Sequence, residues 1–213
     1  MIADAILTNP LQVQIARAIG RASGWLAFDE FMNLALYSPG LGYYANAREI
    51  FGGMPRGQSD QGGDFVTAPE MTCLFGQTVA TQIAQALQAT QTAEIWEFGA
   101  GTGALARDVL DELQRLGVPV TRYNIIDVSG TLRERQQHCL EAHAATVRWV
   151  DALPDAMHGV VIGNEVLDAM PVKLLARQNG VWFERGVALA FEPEPGQPPE
   201  FAWADQATTL RTC

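Results

Sequence analysis

Apolar positions along the chain follow two rhythms, which change at recognisable breaks. Between Pro10 and about Ala22 they recur at helical spacing, with Leu11, Ile15, Ala18 and Ile19 on one stripe, and Gly24 ends the run. A second stripe of Phe28, Phe31, Met32, Ala35 and Leu36 is stopped by Ser38-Pro39-Gly40. In Gly42-Tyr43-Tyr44, adjacent aromatics stand beside glycine, suited to core packing or, if exposed, to a ligand platform. Residues 52–64 are glycine-rich, polar and without period, which predicts a loop or lid. Thr67-Ala68-Pro69-Glu70 reads as a capping box with proline in the first turn. It opens a predicted long helix with Met71, Leu74, Phe75, Val79, Ile83, Ala86 and Leu87 on its apolar face.

From residue 94 short apolar runs alternate with amphipathic ones. A strand at 94–98 leads into a helix at 104–116, with Leu105, Val109, Leu110, Leu113 and Leu116 at helical spacing. After Gly117-Val118-Pro119 come a strand at Tyr123–Val128, a polar helix around 130–144 and a short strand at Val147–Val150. Asp151-Ala152-Leu153-Pro154 then precedes a buried-type strand at Gly159–Gly163. The order βαβαβ predicts an α/β fold with a parallel, doubly wound sheet. Past Pro171, Val172–Arg177 and Val181–Ala190 flank Gln178-Asn179-Gly180, a strong hairpin signal. The stretch Glu192–Glu200 is rich in proline and acid and reads as a loop, with no terminal element expected after it. An open sheet of this class carries more strands than this pattern supplies, so the chain is expected to be C-terminally truncated. The pattern divides it into a helical extension with a glycine-rich lid, 1–90, and a Rossmann-like core with the start of a substrate-side region, 91–213.

Composition narrows the partners. A chain of 213 residues that is 48% hydrophobic and 18% charged has the makeup of a folded domain. Its formal charge of -10 argues against a nucleic-acid backbone as partner and fits a basic ligand or peptide. Cys73, Cys139 and Cys213 are scattered and lack C-x-x-C spacing, so neither a disulfide framework nor a zinc site is indicated. No apolar run approaches the ~20 residues of a membrane helix. The N-terminus does not read as a secretory signal. A cytoplasmic setting is expected.

The chemistry gathers around Glu94-Ile95-Trp96-Glu97-Phe98-Gly99-Ala100-Gly101-Thr102-Gly103, a strand, a tight glycine turn and the opening of a helix. Glycine tolerates positive φ, and without a Cβ it lets a ligand lie against backbone. Gly99, Gly101 and Ala104 also satisfy the dinucleotide pattern G-x-G-x-x-G/A, which leaves an NAD(P)-dependent oxidoreductase open. Glu97 tips the balance, because a pyrophosphate would be repelled there and an ammonium attracted. S-adenosylmethionine carries an ammonium and a sulfonium but no phosphate. Asp127 ends the second strand, where an acid can accept both hydroxyls of an adenosine ribose. Asp151, with Ala152 after it, is placed to meet an adenine amino edge or to cap a helix. Asn164, Glu165 and Asp168 follow the fourth strand. Glu165 and Asp168, three apart, either share a helical turn and fork a guanidinium, or Asp168 only caps a turn before Pro171. His138, Cys139, Glu141 and His143 read as a solvated helix face rather than a metal site. His158 carries no further signal, and no G-x-S-x-G nucleophile motif appears.

With these residues assembled, the chain resembles the MidA-like family of S-adenosylmethionine-dependent methyltransferases, whose mitochondrial members methylate an arginine and assist respiratory complex I assembly. The resemblance rests on Phe31-Met-Asn-Leu-Ala-Leu-Tyr37 with Pro39 and Gly42-Tyr43-Tyr44, on Gly63-Asp-Phe-Val-Thr-Ala-Pro-Glu70 with Leu74-Phe75-Gly76, on Glu97–Gly103, and on Gly163–Pro171. It covers residues from about 28 to 185. It implies a class I methyltransferase fold with added helices and a substrate-side insertion. By the same resemblance Gly99, Ala100, Gly101 and Gly103 line the methionine end of the cofactor, Glu97 orients its ammonium and Asp127 binds the ribose. Asn164 and Glu165 lie beside the reactive methyl, and Gly63–Glu70, which includes Thr67, closes over the site. A protein substrate is implied. A non-catalytic assembly factor that keeps the fold is the other reading.

Overall fold

The computed structural model describes residues 9–45, 67–127, 130–191 and 197–210. The expected lid at 52–64, the start of the Gly63–Glu70 segment and Cys213 lie outside them. In chain order the elements are α1 (Pro10–Arg21), β1 (Leu26–Ala27), α2 (Phe28–Tyr37), α3 (Ala68–Met71), α4 (Cys73–Thr90), β2 (Glu94–Phe98), α5 (Ala104–Arg115) and β3 (Arg122–Ile126). They continue with α6 (Gly130–Cys139), β4 (Val147–Trp149), β5 (Val160–Gly163), β6 (Leu174–Gln178), β7 (Val181–Leu189) and β8 (Phe201–Ala207). Two compact units group the described residues of 1–46 with those of 169–213, and separately those of 47–168. The sequence reading divides the chain after residue 90 instead.

In the first unit β7 is the central strand. One of its edges pairs antiparallel with β6, and beyond that with the two residues of β1, while the other pairs with β8. Asn179 and Gly180 both have positive φ (50° and 85°), as the tight turn of the expected β6–β7 hairpin requires. Arg185 forks Asp205 across the registered β7–β8 pair, at 2.8 and 2.9 Å. The Trp25 indole N–H donates to the Ala204 carbonyl at 2.9 Å. Ile15, Ile19, Leu26 and Val187 form the buried centre, with Phe28, Phe31 and Phe201 packed against it. Tyr43 and Tyr44 belong to an aromatic cluster: Tyr44 stacks on Tyr37 at 5.6 Å and meets Tyr43 edge-on at 5.1 Å.

Strands β1 and β8 correct the sequence reading. Two residues are too few to display a period, and β8 follows the proline-rich stretch from which no further element is expected. Both exist because β7 presents ladder groups on each edge that need partners.

In the second unit the sheet order is β4-β3-β2-β5, every pair parallel, as the βαβαβ pattern predicts. Ile95, Tyr123 and Ile125 are fully buried on one face of the sheet, and Trp96 and Asn124 between them are buried on the other. On α5, Leu105, Ala106, Val109, Leu110 and Leu113 are buried, while Leu116 lies past the helix end and is exposed. Each such leucine or valine contributes about 1.5–3 kcal/mol by leaving water.

The expected single helix from residue 68 is two. Thr67 makes no side-chain cap bond, α3 ends at Met71, and Thr72 is extended (φ -163°, ψ 139°). The Thr72 hydroxyl, not that of Thr67, caps α4 by accepting from the Leu74 N–H at 3.2 Å. The break turns Met71 and Leu74 outward, so the buried face of α4 is Gly76, Ala80, Ile83 and Leu87. Glu70, expected to close a capping box, instead accepts a hydrogen bond from the Thr102 hydroxyl in the glycine turn.

Candidate functional site

Strands β2, β3 and β4 are parallel and in register, so their carboxyl ends, and the segments that follow them, open on one side of the sheet. Ligands of open α/β folds bind there. After β2 the chain turns through Gly99, Gly101 and Gly103, with φ of 62°, 55° and 89°. Residues with a Cβ rarely adopt such values, and three in five positions give a turn that only glycines fit. The Gly99 N–H donates to Ile126 O at 2.9 Å and that of Gly103 to Ala100 O at 2.8 Å. Ala100 is buried under the turn. A Cβ on Gly101 would meet nothing within 4 Å, whereas one on Gly99 would lie 3.0 Å from Val166 Cγ2. The turn is therefore open beside Gly101 and walled by Val166 at Gly99. Gly103 is the N-cap of α5, whose first amides point back toward the turn.

Asp127 directly follows β3 and is half-buried. Gln136, fully buried on α6, holds it: the amide Nε2 donates to Asp127 Oδ2 at 2.8 Å and to the Gly101 carbonyl at 3.0 Å. The Gln136 Oε1 accepts from the Trp149 indole N–H at 2.8 Å, at the end of β4. One side chain thus ties together the segments that end three neighbouring strands.

Glu97 is 1% exposed, on the same strand face as Ile95 and beside Ile125. Its Oε2 accepts the Tyr123 hydroxyl hydrogen at 2.8 Å. Burial raises the Glu97 carboxyl to about 7; the Tyr123 hydrogen bond opposes that rise and the Asp127 charge adds to it. Tyr123 in turn is pushed well above its ordinary value by burial and by the neighbouring carboxylate. The expected meeting of Glu97 with a ligand ammonium is thus not through open surface.

The other expected residues are spread around this centre. Asp151, 80% exposed, is ion-paired with Arg133 of α6, and Ala152 beside it is exposed. Thr67 is half-buried at the start of α3. Asn164 is half-buried, while Glu165 and Asp168 are exposed. Glu165 has φ 53°, a left-handed value that strains a non-glycine residue by roughly 1–3 kcal/mol. The 3₁₀ turn holding Asp168 starts only at Leu167, so the two acids do not share the helical turn their spacing suggested.

His143 pairs with Asp111 at 2.7 Å, and His138 and Glu141 are exposed. Among the described residues no three of His, Cys, Asp and Glu group as metal ligands, and no helix is long and apolar enough to cross a membrane. Sequence reasoning missed Gln136, Tyr123, Trp149 and the Glu70–Thr102 bond. Tyr123 could have been found, since a parallel β2–β3 register facing Ile95 puts it diagonal to Glu97.

Comparison with known proteins agrees with this geometry. The chain superposes on the crystal structure of a COG1565 superfamily member from Burkholderia thailandensis bound to S-adenosyl-homocysteine. The TM-score is 0.79 at 46% identity, covering 94% of this chain and 50% of that one. A native structure from the same organism aligns at TM-score 0.74 and 44% identity, over 93% and 48%. The mitochondrial protein arginine methyltransferase NDUFAF7 homolog of Caenorhabditis elegans is 27% identical over 203 residues, 83% of this chain and 46% of that protein. Human NDUFAF7, a mitochondrial protein arginine methyltransferase, is 25% identical over 217 residues, 88% and 47%. The chain spans about half the length of these relatives. The doubly wound sheet is that of a class I methyltransferase. Residues 78–212 match the Methyltransf_28 family model, and the chain belongs to that family of S-adenosyl-L-methionine-dependent methyltransferases.

Proposed function

We propose that this chain binds S-adenosyl-L-methionine at the carboxyl ends of β2, β3 and β4, for methyl transfer to a protein arginine nitrogen. The observation that carries the cofactor reading is the open three-glycine turn linked through one side chain to the acid ending the next strand. The charges around the turn suit this ligand. Glu70 bonds Thr102 of the turn and Asp127 is tied to the Gly101 carbonyl through Gln136, two carboxylates that repel a pyrophosphate and attract an ammonium or a sulfonium. That disfavours a dinucleotide.

In this reading Gly99, Ala100, Gly101 and Gly103 take the methionine end. Glu97, ionised when the ligand is present, orients the ammonium, and Asp127 accepts the ribose hydroxyls. Asp151 and Ala152 lie toward the adenine. Thr67 belongs to the segment that closes the site. Asn164 and Glu165 lie beside the reactive methyl, and the acids Glu165 and Asp168 orient the acceptor and offset its positive charge. The cofactor would supply a sulfonium methyl, keeping the C–S electron pair on its sulfur, and the proton released by the methylated nitrogen would pass to solvent. The protein's part is alignment and exclusion of water, and a held near-attack geometry is worth on the order of 7–11 kcal/mol. Arginine as acceptor and a link to respiratory complex I rest on the named relatives and the family resemblance, and a cytoplasmic location on the cysteine pattern.

Calorimetric titration with S-adenosyl-homocysteine tests the pocket. Asp127→Ala is expected to weaken binding by about 1–3 kcal/mol, the usual loss when a charged hydrogen bond is removed. Absence of binding by the folded wild-type chain would overturn the reading for this chain. Glu165→Gln is expected to lower turnover on a methyl acceptor while leaving cofactor affinity within about twofold. Equal loss of both would remove Glu165 from the acceptor side. Amino-acid analysis of the methylated product tests the acceptor. Methylarginine is expected; methyllysine would refute it, and cofactor binding without any methylated product would favour a non-catalytic assembly role.

A further inference from the structure

We infer that Gln136 is a positioning residue for the nucleoside end of the cofactor, setting the Asp127 carboxylate that receives the ribose. The inference rests on the cofactor reading above and adds a residue outside the glycine turn and the acid. Gln136 lies on α6, whose sequence is otherwise polar, yet it is fully buried. Both partners of Nε2, Asp127 Oδ2 and Gly101 O, are acceptors, and the partner of Oε1, the Trp149 N–H, is a donor. The amide therefore has one workable orientation. Flipping it would set oxygen against two oxygens and the amide nitrogen against an indole N–H. A carboxylate rotates freely about its last torsion unless something fixes it. Gln136 fixes that torsion at Asp127 and refers it to the backbone of the glycine turn, so the ribose-binding and methionine-binding ends keep a constant spacing. Trp149 locks the lock.

The separating experiment titrates the full 213-residue chain with S-adenosyl-homocysteine and with its 2′,3′-dideoxy analogue, in wild type and in Gln136→Glu. The substitution keeps the length and branching of the side chain and turns the Nε2 donor into an oxygen facing Asp127. A positioning role predicts that the variant binds S-adenosyl-homocysteine at least tenfold more weakly at pH 8, while its affinity for the 2′,3′-dideoxy analogue, which offers Asp127 no hydroxyl, changes little. It also predicts partial recovery at pH 6, where a protonated Glu side chain regains a donor. Gln136→Asn, one methylene too short to span the three partners, is expected to lose the same discrimination without recovery at low pH. Equal loss for both ligands, or no loss in either variant, overturns the role for Gln136 while leaving the cofactor site standing. A wild-type chain that binds neither ligand overturns the cofactor reading, and this inference with it.

Discussion

Gly159→Ala is expected to destabilise the folded chain by roughly 3 kcal/mol or more, combining overpacking with a left-handed backbone value. Gly159 has φ 123°, where an L side chain is strained wherever there is room, and here there is none. A Cβ would lie 2.0 Å from the Glu94 carbonyl oxygen and 2.8 Å from its carbon. Those are backbone atoms at the start of β2, so relief requires moving a strand rather than turning a side chain. The residue just before is also pinned, since the Trp96 indole N–H donates to the His158 carbonyl at 3.1 Å. The strain would fall on the β2–β5 pairing, which starts at Ile95 and Val160. That pairing delivers the segment carrying Asn164 and Glu165. Urea unfolding should show a lowered midpoint with an unchanged slope. A shift under 0.5 kcal/mol would mean that β5 can move away from β2 at little cost.

Glu97→Gln is expected to remove a pH dependence from the stability of the chain. Because the folded carboxyl is raised from 4.5 to about 7, the folded state holds its proton more tightly than the unfolded state across that interval. The stability tied to this proton is complete below pH 4.5 and is lost as the pH rises through about 7. A shift of this size corresponds to on the order of 3 kcal/mol. Glutamine keeps an oxygen to accept the Tyr123 hydroxyl but has no charge to bury. The variant should match wild type near pH 4.5 and exceed it by up to about 3 kcal/mol at pH 8, as measured by denaturant unfolding at both values. A variant less stable than wild type at pH 8 would show that the Glu97 carboxylate is held in place by a positive partner. The prediction also bears on the site, because a ligand ammonium beside the turn would favour the ionised form.

Much of the α/β core was legible. Helix α5, strands β2 to β5 and the Asn-Gly hairpin fall within two or three residues of their expected ends, because each rests on a local period or a local turn. The site was legible where glycine or strand-end acids mark it, at Gly99–Gly103 and Asp127. It was not legible at Gln136, which in sequence looks like any residue of a polar helix. Only the packing of α6 over the ends of three strands brings two acceptors to one side of its amide and an indole N–H to the other. The supposed capping box at Thr67–Glu70 failed for the same kind of reason. The spacing offers Glu70 a local backbone partner, and a distant hydroxyl, that of Thr102, takes it. The helical turn expected to join Glu165 and Asp168 does not form, because helical spacing does not carry across a residue at φ 53°.

By itself, then, the sequence determined what depends on near neighbours: the left-handed turns that only glycines make, the helix stripes, the alternation of strand and helix, and the acids at strand ends. Tertiary structure decided what depends on distant partners. It put β1 and β8 beside β7, buried Glu97 against Tyr123, and placed one glutamine between the glycine turn and Asp127. Backbone conformation is set by sterics within a few residues, whereas burial and hydrogen-bond partners depend on which remote segments fill the surrounding space.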